Sequence, residues 1–438
     1  MKKHVISTGL IGLFFCLPAA AELRFNGFVE AELRLYPGDG LLDEQKQALP
    51  SVAVQPELTW RSQSRQHNLR AVAFGRLSDS DGERDHADLR QAYYLYAGSG
   101  WQVQAGVNKV FWGVTESAHL VDIINQTDTV EAFNGEEKLG QPMIGLGLEQ
   151  GWGNLDIYIL PYFRERQFPD GPERFRLSLA GQPINYDHDN AWYEDKREEK
   201  HVDVAARWWH WFGGFDIGLS VFQGTNREPI PILVQPDLLN PADSLFGSYY
   251  EQLQQIGIEM QYIYDSWAFK YESASKWLDS GNYHSVATGF EYTLSGLGES
   301  GYDLGLLVEY LWNNRDDVSV KDPSLKAMGL DENTAPPQLV DALENNAIPG
   351  SYLSPLENDV FVGTRFALND IASTEFVAGL IIDLDDQTTS ASFEGSTRIG
   401  NSIRIALNVY LFENVDENSA FYAFRKDDQI EAKFTWYF

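Results

Sequence analysis

The chain has 438 residues, with 33 Lys and Arg against 64 Asp and Glu, for a formal net charge of −31. So acidic a balance excludes nucleic acid as an expected partner, because phosphate binding needs clustered Lys and Arg. A single cysteine, Cys16, excludes a disulfide framework.

Met1 to Ala21 reads as a secretory signal. Lys2 and Lys3 give a charged start, Val5 to Leu17 an apolar stretch too short to span a bilayer as a helix, and Pro18-Ala-Ala-Ala21 a small-residue cleavage site. Cleavage after Ala21 removes two lysines, no acids and Cys16, so residues 22–438 form one domain carrying −33 and no cysteine. A thiol nucleophile and a thiolate metal site are thereby excluded as well. Beyond Ala21 no apolar run is long enough for a membrane helix.

Eighteen candidate strands follow. In the first, Leu23, Phe25, Val29, Ala31, Leu33 and Leu35 alternate with Arg24, Asn26, Glu30, Glu32 and Arg34. In the second, Val52, Val54, Leu58 and Trp60 alternate with Gln55, Glu57, Thr59 and Arg61. Further strands are predicted near 68–77, 86–97, 101–112, 140–149, 154–163, 200–209, 214–224, 249–264, 266–278, 282–295, 300–313, 357–368, 373–383, 390–399, 402–413 and 425–438. The last has Ile430, Ala432, Phe434, Trp436 and Phe438 on one face and Gln429, Glu431, Lys433 and Thr435 on the other. Period two with one apolar face means a strand with apolar surroundings on one side only. A terminal strand closing on Phe438 also resembles the C-terminal assembly signal of bacterial outer-membrane barrels, which implies recognition by the barrel-assembly machinery. A soluble sandwich would bury the same face; the signal sequence favours the barrel.

The connections alternate. Short polar turns fall at Gly98-Ser-Gly100, Gly151-Trp-Gly-Asn154, Asp265-Ser266, Asn369-Asp370 and Gly400-Asn401, and long segments at 113–139, 164–199, 225–248 and 314–356. With both termini periplasmic, every short turn falls inside and every long loop outside, as in an up-and-down outer-membrane barrel of a Gram-negative bacterium. Trp60, Trp101, Trp208, Trp209, Trp211, Trp267, Trp277, Trp312 and Trp436 sit at or near strand ends, where aromatic girdles meet lipid and lipopolysaccharide. The predicted fold is thus an all-β, transmembrane, antiparallel barrel of about 18 strands, too wide for its own side chains to fill. Inward positions carry both signs: Glu30, Glu32, Arg34, Glu57, Arg70, Arg90, Arg404, Glu431 and Lys433. They either pair across the wall and hold water or set up a transverse field that orients solutes.

One segment stands apart: Asp88-Leu-Arg-Gln-Ala-Tyr-Tyr-Leu-Tyr96, then Gln104-Ala-Gly-Val-Asn-Lys-Val-Phe-Trp-Gly113, then Glu116 through Asp128. Residues 86–148 resemble a group of uncharacterised proteobacterial outer-membrane barrels. In that group a strand ends in Gly-Arg/Lys-x-x-Val-x-Trp-Gly, followed by an acidic residue and an Asp-x-x-Asn-Pro-x-Asp turn. Gly106, Trp112, Gly113, Glu116, Asp122, Asn125 and Asp128 hold the matching positions; Gln126 replaces the Pro, and Val107-Asn108 interrupts the Gly-Arg/Lys step. The resemblance implies a channel or export-associated barrel without a defined substrate. Leu120, Val121, Ile123 and Ile124 are too apolar to lie free in water, so 113–139 is expected to fold into the lumen, with Asp122, Asn125 and Asp128 capping its turns. It then narrows the pore, covers a site, or is a self-satisfied plug.

Two other loops are distinctive. Residues 229–246 mix Pro229, Pro231, Pro236 and Pro241 with Ile230, Ile232, Leu233, Val234, Leu238, Leu239, Leu245 and Phe246, which predicts loop-on-loop packing before a partner surface or greasy entry. Residues 336–346 read as a short amphipathic helix with Pro near its start. Ser117, His119 and Asp122 suggest a hydrolase, but nothing resembles Gly-x-Ser-x-Gly and a triad is defined by geometry. Asp79-Ser-Asp-Gly-Glu-Arg-Asp85 has only part of a calcium loop, since position twelve is Arg90, and is expected to be an exposed acidic hairpin tip. No metal or cofactor is therefore expected. The leading expectation is a porin passing small solutes, with cation preference and with Trp112, Gly113, Glu116, His119, Asp122, Asn125 and Asp128 at the constriction. A non-conducting scaffold for export or partner binding, and an outer-membrane hydrolase, are the competing readings.

Overall fold

The computed structural model describes residues 21–80, 82–179, 182–235, 244–298, 301–315, 324–327, 337, 356–417 and 419–438. The expected signal sequence apart from Ala21, the expected 336–346 helix apart from Pro337, and Pro236, Leu238, Leu239 and Pro241 lie outside them. Eighteen strands form one sheet: β1 (Glu22–Leu35), β2 (Ala48–Arg61), β3 (His67–Ser78), β4 (His86–Ala97), β5 (Trp101–Asn108), β6 (Gln141–Gln150), β7 (Gly153–Leu160), β8 (Asp203–Phe212) and β9 (Phe215–Thr225) are the first half. The second half is β10 (Gln252–Tyr264), β11 (Trp267–Leu278), β12 (Gly281–Leu297), β13 (Tyr302–Asn313), β14 (Asn358–Ala367), β15 (Glu375–Asp383), β16 (Thr389–Ile399), β17 (Ile403–Glu413) and β18 (Gln429–Tyr437). Each strand pairs antiparallel with its chain neighbours, and β1 pairs with β18 from Phe28↔Tyr437 to Leu35↔Ile430, so the sheet closes and leaves no edge.

The side-chain alternation decides which face is which. Leu23, Phe25, Leu33, Leu35, Phe434 and Trp436 stand exposed on the outside, while Glu32, Glu431 and Thr435 are buried within. Such a layout is inverted relative to a soluble core and suits an apolar solvent around a wet interior. Both termini and the short turns lie at one end. At the other end two connections are also short, the two-residue hairpin between Leu278 and Gly281 and the five residues between Asp383 and Thr389.

Three strand boundaries differ from expectation for identifiable reasons. The strand foreseen over 101–112 stops at Asn108, because the Asn125 side chain takes the Val110 N–H and donates to the Asn108 carbonyl, drawing the chain off the wall. The segment 249–264 divides at Glu251: Leu245–Tyr250 joins Ile230–Gln235 and Asn185–Tyr193 in a separate three-stranded sheet at the long-loop end. Ile230 and Ile232 are buried there, the loop-on-loop packing that their apolar run implied. The strand near 200–209 begins at Asp203, after a 3-10 turn at Glu198–Lys200.

Gly106 and Gly113 both hold φ +133°, a backbone state that L side chains rarely adopt. A Cβ on Gly106 would run into the Ala92 carbonyl across the β4–β5 pair. Gly106→Ala is therefore expected to destabilise the barrel by roughly 1–3 kcal/mol, read as a lowered urea midpoint of tryptophan fluorescence.

Candidate functional site

Between β5 and β6 the chain turns into the barrel and crosses it. The apolar part of this loop is anchored first. Trp112, Val121, Ile123 and Ile124 pack on the inward side chains Met143, Tyr158, Leu160, Ala205, Phe222 and Leu253 of β6 to β10. Each such large side chain contributes about 1.5–3 kcal/mol relative to exposure. Gly257 on β10 makes room: a Cβ there would lie 2.8 Å from Val121 Cγ1. Asn125 ties the two arms together, donating to the Asn108 and Leu139 carbonyls. Asp122 accepts from the Trp112 N–H at 3.3 Å and faces Lys138 at 3.4 Å. Burial pushes its carboxyl above the ordinary range, against the pull of Lys138, the Trp112 N–H and His119.

The loop tip is held by two carboxylates of the opposite wall. Glu272 Oε1 on β11 accepts from the N–H of Val114 at 2.6 Å and of Thr115 at 2.9 Å, and from Thr115 Oγ1 at 2.7 Å. Glu309 on β13 accepts from the N–H of Glu116 at 3.0 Å and of Ser117 at 2.8 Å, and from Ser117 Oγ at 2.5 Å. Lys270 donates to Glu116 at 2.5 Å and lies 3.4 Å from Glu291. Both wall glutamates are fully buried, and among the described residues the donors that satisfy them belong to the loop.

The return arm is pinned on the other side of the barrel. A β-bulge between β3 and β4 leaves Arg90 as an extra residue between Leu89 and Gln91, turned inward. It reaches Asp128 at 3.1 Å and Glu137 at 2.9 Å. Asp128 also caps the N–H of Glu131. Glu131 receives Arg76 Nε at 3.0 Å, its carbonyl takes Arg34 at 2.7 Å, and the Val130 carbonyl takes Arg84 at 2.9 Å. Around Glu32 these guanidiniums converge: Arg84 at 2.5 Å, Arg34 at 3.0 Å and Arg76 at 3.3 Å. Glu30 pairs with Arg76, and Lys433 bridges Glu431 and Glu32. Asp79 and Asp85 are exposed, as expected of an acidic tip, but Ser80 between them is buried. Arg84 departs from that expectation: it is buried and its guanidinium reaches Glu32.

Glu131 shows how pH acts on this arm. Burial alone would raise its carboxyl, but Arg76 and Arg84 outweigh that and hold it below the ordinary 4.5. A depressed folded-state value contributes stability that is present above about pH 4.5 and lost as pH falls through the lower folded value. Protection factors over residues 128–134, taken against the intrinsic exchange rate at each pH, are expected to fall below pH 4.5 relative to pH 7; equal protection at both would contradict the assignment.

A second loop lies over the first. The Arg166 guanidinium donates to Gln126, Thr129 donates to the Gln167 carbonyl, and Phe175 stacks on Phe133 with ring centroids 4.0 Å apart. Both rings meet Phe412 and Phe424 on the far side. This side of the lumen is thus filled, while Arg365, Val377, Glu394 and Arg404 on β14 to β17 stay open to water. There Arg404 pairs with Glu394 at 3.3 Å, and lower on the wall Arg70 pairs with Glu57 at 3.1 Å.

No triad assembles at Ser117, His119 and Asp122. Ser117 Oγ is taken by Glu309, and the His119 ring packs edge-on against Phe111 with centroids 4.7 Å apart. Burial lowers the His119 pKa despite Asp122. The anchors that sequence reasoning missed are Arg76, Arg84, Glu131, Glu272 and Glu309. Glu272 was detectable in principle, because Lys270 and Glu272 alternate with Phe269 and Tyr271 on a strand whose other face is apolar.

No family model matches the chain, and no curated protein is similar to it. Among solved structures it is similar to a triply substituted porin of Rh. blastica, at 12% identity over 95% of this chain and 100% of that one, with a TM-score of 0.40. It is also similar to Pseudomonas putida OprB at high pH, at 13% identity over 95% of this chain and 94% of that one, with a TM-score of 0.42.

Proposed function

We propose that the protein is a porin of the Gram-negative outer membrane, with its short turns and termini in the periplasm. Small solutes pass between the 113–139 loop and the wall of β14 to β16. One observation carries this reading: the loop buries inward side chains of β6 to β10 but leaves Arg365, Val377, Ser392 and Glu394 of β14 to β16 open to water. The polar residues bordering the open side include Glu116, Glu291 and Glu394, each partly exposed. With the acidic chain around them they favour cations over anions. Trp112, Gly113, His119, Asp122, Asn125 and Asp128 shape the loop, and Glu116 faces the passage. The resemblance of residues 86–148 to proteobacterial outer-membrane barrels agrees with the placement, and the Phe438 strand fits recognition by the assembly machinery.

The test is planar-bilayer current through the refolded mature chain under a salt gradient. A steady conductance with a cation-signed reversal potential is expected. A protein that folds as a barrel yet passes no current would overturn the porin and leave the scaffold reading.

A further inference from the structure

At the short-turn end of the open passage, β14 to β17 enclose a cavity of about 280 Å³ lined by Arg365, Glu375, Glu394, Ser396, Arg398 and Arg404. Its charges are not evenly matched. Arg365 and Glu375 form a two-pronged pair at 2.8 and 2.9 Å, which uses up both groups. Arg404 makes a single 3.3 Å contact to Glu394 and a 3.0 Å bond to Ser396. Among the described residues no carboxylate lies within ion-pairing distance of Arg398, whose guanidinium rests 6.0 Å from the Tyr437 ring centroid.

The register makes this surplus specific. Arg398 and Arg404 are direct cross-strand partners of β16 and β17, side by side on the inward face. Like charges at directly opposed positions repel, and an oxyanion bridging them would remove the repulsion while using donors left without a partner among the described residues. Nothing in the fold of the pair demands two arginines there. In so acidic a chain, a pair of under-neutralised guanidiniums on the solute path is a local inversion of charge.

We propose that Arg398 and Arg404 form a binding subsite for the carboxylate group of a small organic acid entering or leaving at the periplasmic mouth. Glu394 and Ser396 set its second side, so that a solute with an additional hydroxyl or ammonium group fits the same cavity. The proposal rests on the porin reading and names its solute class; bulk cation preference and a carboxylate subsite coexist because the first is a property of the whole field and the second of one register pair.

Sodium glutarate is the probe, titrated into the short-turn side of a bilayer at fixed KCl. Wild type is expected to show dose-dependent block of the KCl current. Arg398→Gln and Arg404→Gln are each expected to raise the half-blocking concentration about tenfold, the loss typical of one charge-assisted contact. Arg24→Gln, at an exposed Glu22 contact on the rim, should leave block unchanged. Inorganic phosphate is titrated in parallel: equal block supports a general oxyanion seat, and block by glutarate alone narrows it to carboxylates. A conducting channel with no block, or block indifferent to both arginines, overturns the subsite while leaving the porin intact. Should the protein be silent, equilibrium dialysis of labelled glutarate against detergent-solubilised wild type and both variants decides: binding that falls in the variants supports the site, and equal or absent binding overturns it.

Discussion

Replacing Glu272 and Glu309 together with alanine is expected to release the loop tip from the wall and raise single-channel conductance, with added current noise. The reason is the direction of the bonds. Five backbone N–H groups, those of Val114, Thr115, Glu116, Ser117 and Val121, and the hydroxyls of Thr115 and Ser117 converge on these two carboxylates. Bonds to a charged acceptor contribute about 1.5–3 kcal/mol each. Losing about 3 kcal/mol would shift the docked-to-released ratio of the tip by about a hundredfold. Glutamine at either position keeps an acceptor oxygen, so Glu272→Gln should do less than Glu272→Ala. Unchanged conductance and noise in the double alanine variant would mean that the apolar anchor at Trp112, Val121, Ile123 and Ile124 holds the tip without them.

The largest loss of stability is expected from Arg76→Ala. Arg76 touches Glu30, Glu32 and Glu131 and lies over the Phe74 ring, with its side chain 3% exposed. Removing it leaves carboxylates buried with too few cations, a change that costs about 3–5 kcal/mol when one member of a buried pair is deleted. Arg70→Ala is the control. That guanidinium pairs with Glu57 but is 40% exposed, and such pairs contribute about 0–1 kcal/mol. Urea unfolding of both variants, followed by tryptophan fluorescence, should separate them clearly. Equal midpoints would refute the view that the Glu32 cluster fixes the return arm.

How much of this was legible in the sequence depends on range. Strands were readable because their period is two and their outer face is apolar; Phe434, Trp436 and Phe438 announced the last one without any neighbour. Ends were less readable wherever a tertiary contact set them. Nothing local in Lys109-Val-Phe-Trp112 says that Asn125 will take the Val110 N–H and end β5 early. The loop's inward course followed from Val121, Ile123 and Ile124, since apolar side chains in a connection must find cover. Its anchors did not, because Glu272 and Glu309 lie more than 150 residues away in sequence. Arg84 was the hardest. Set in Asp79-Ser-Asp-Gly-Glu-Arg-Asp85, it looks like part of a solvated tip, and only the three-dimensional position of Glu32 turns it inward. Arg398 and Arg404 could each be placed on an inner face, but their opposition is a property of register, which a single strand does not carry.

A loop that crosses the lumen and narrows a conducting passage must, when removed, let more current through. Single-channel conductance of the refolded mature protein and of a 114–138 deletion, in the same salt and lipid, tests it most directly. A conducting wild type and a clear rise on deletion are expected, with the barrel fold retained. A deletion variant that conducts no more than wild type, or two folded proteins that both stay silent, would contradict it.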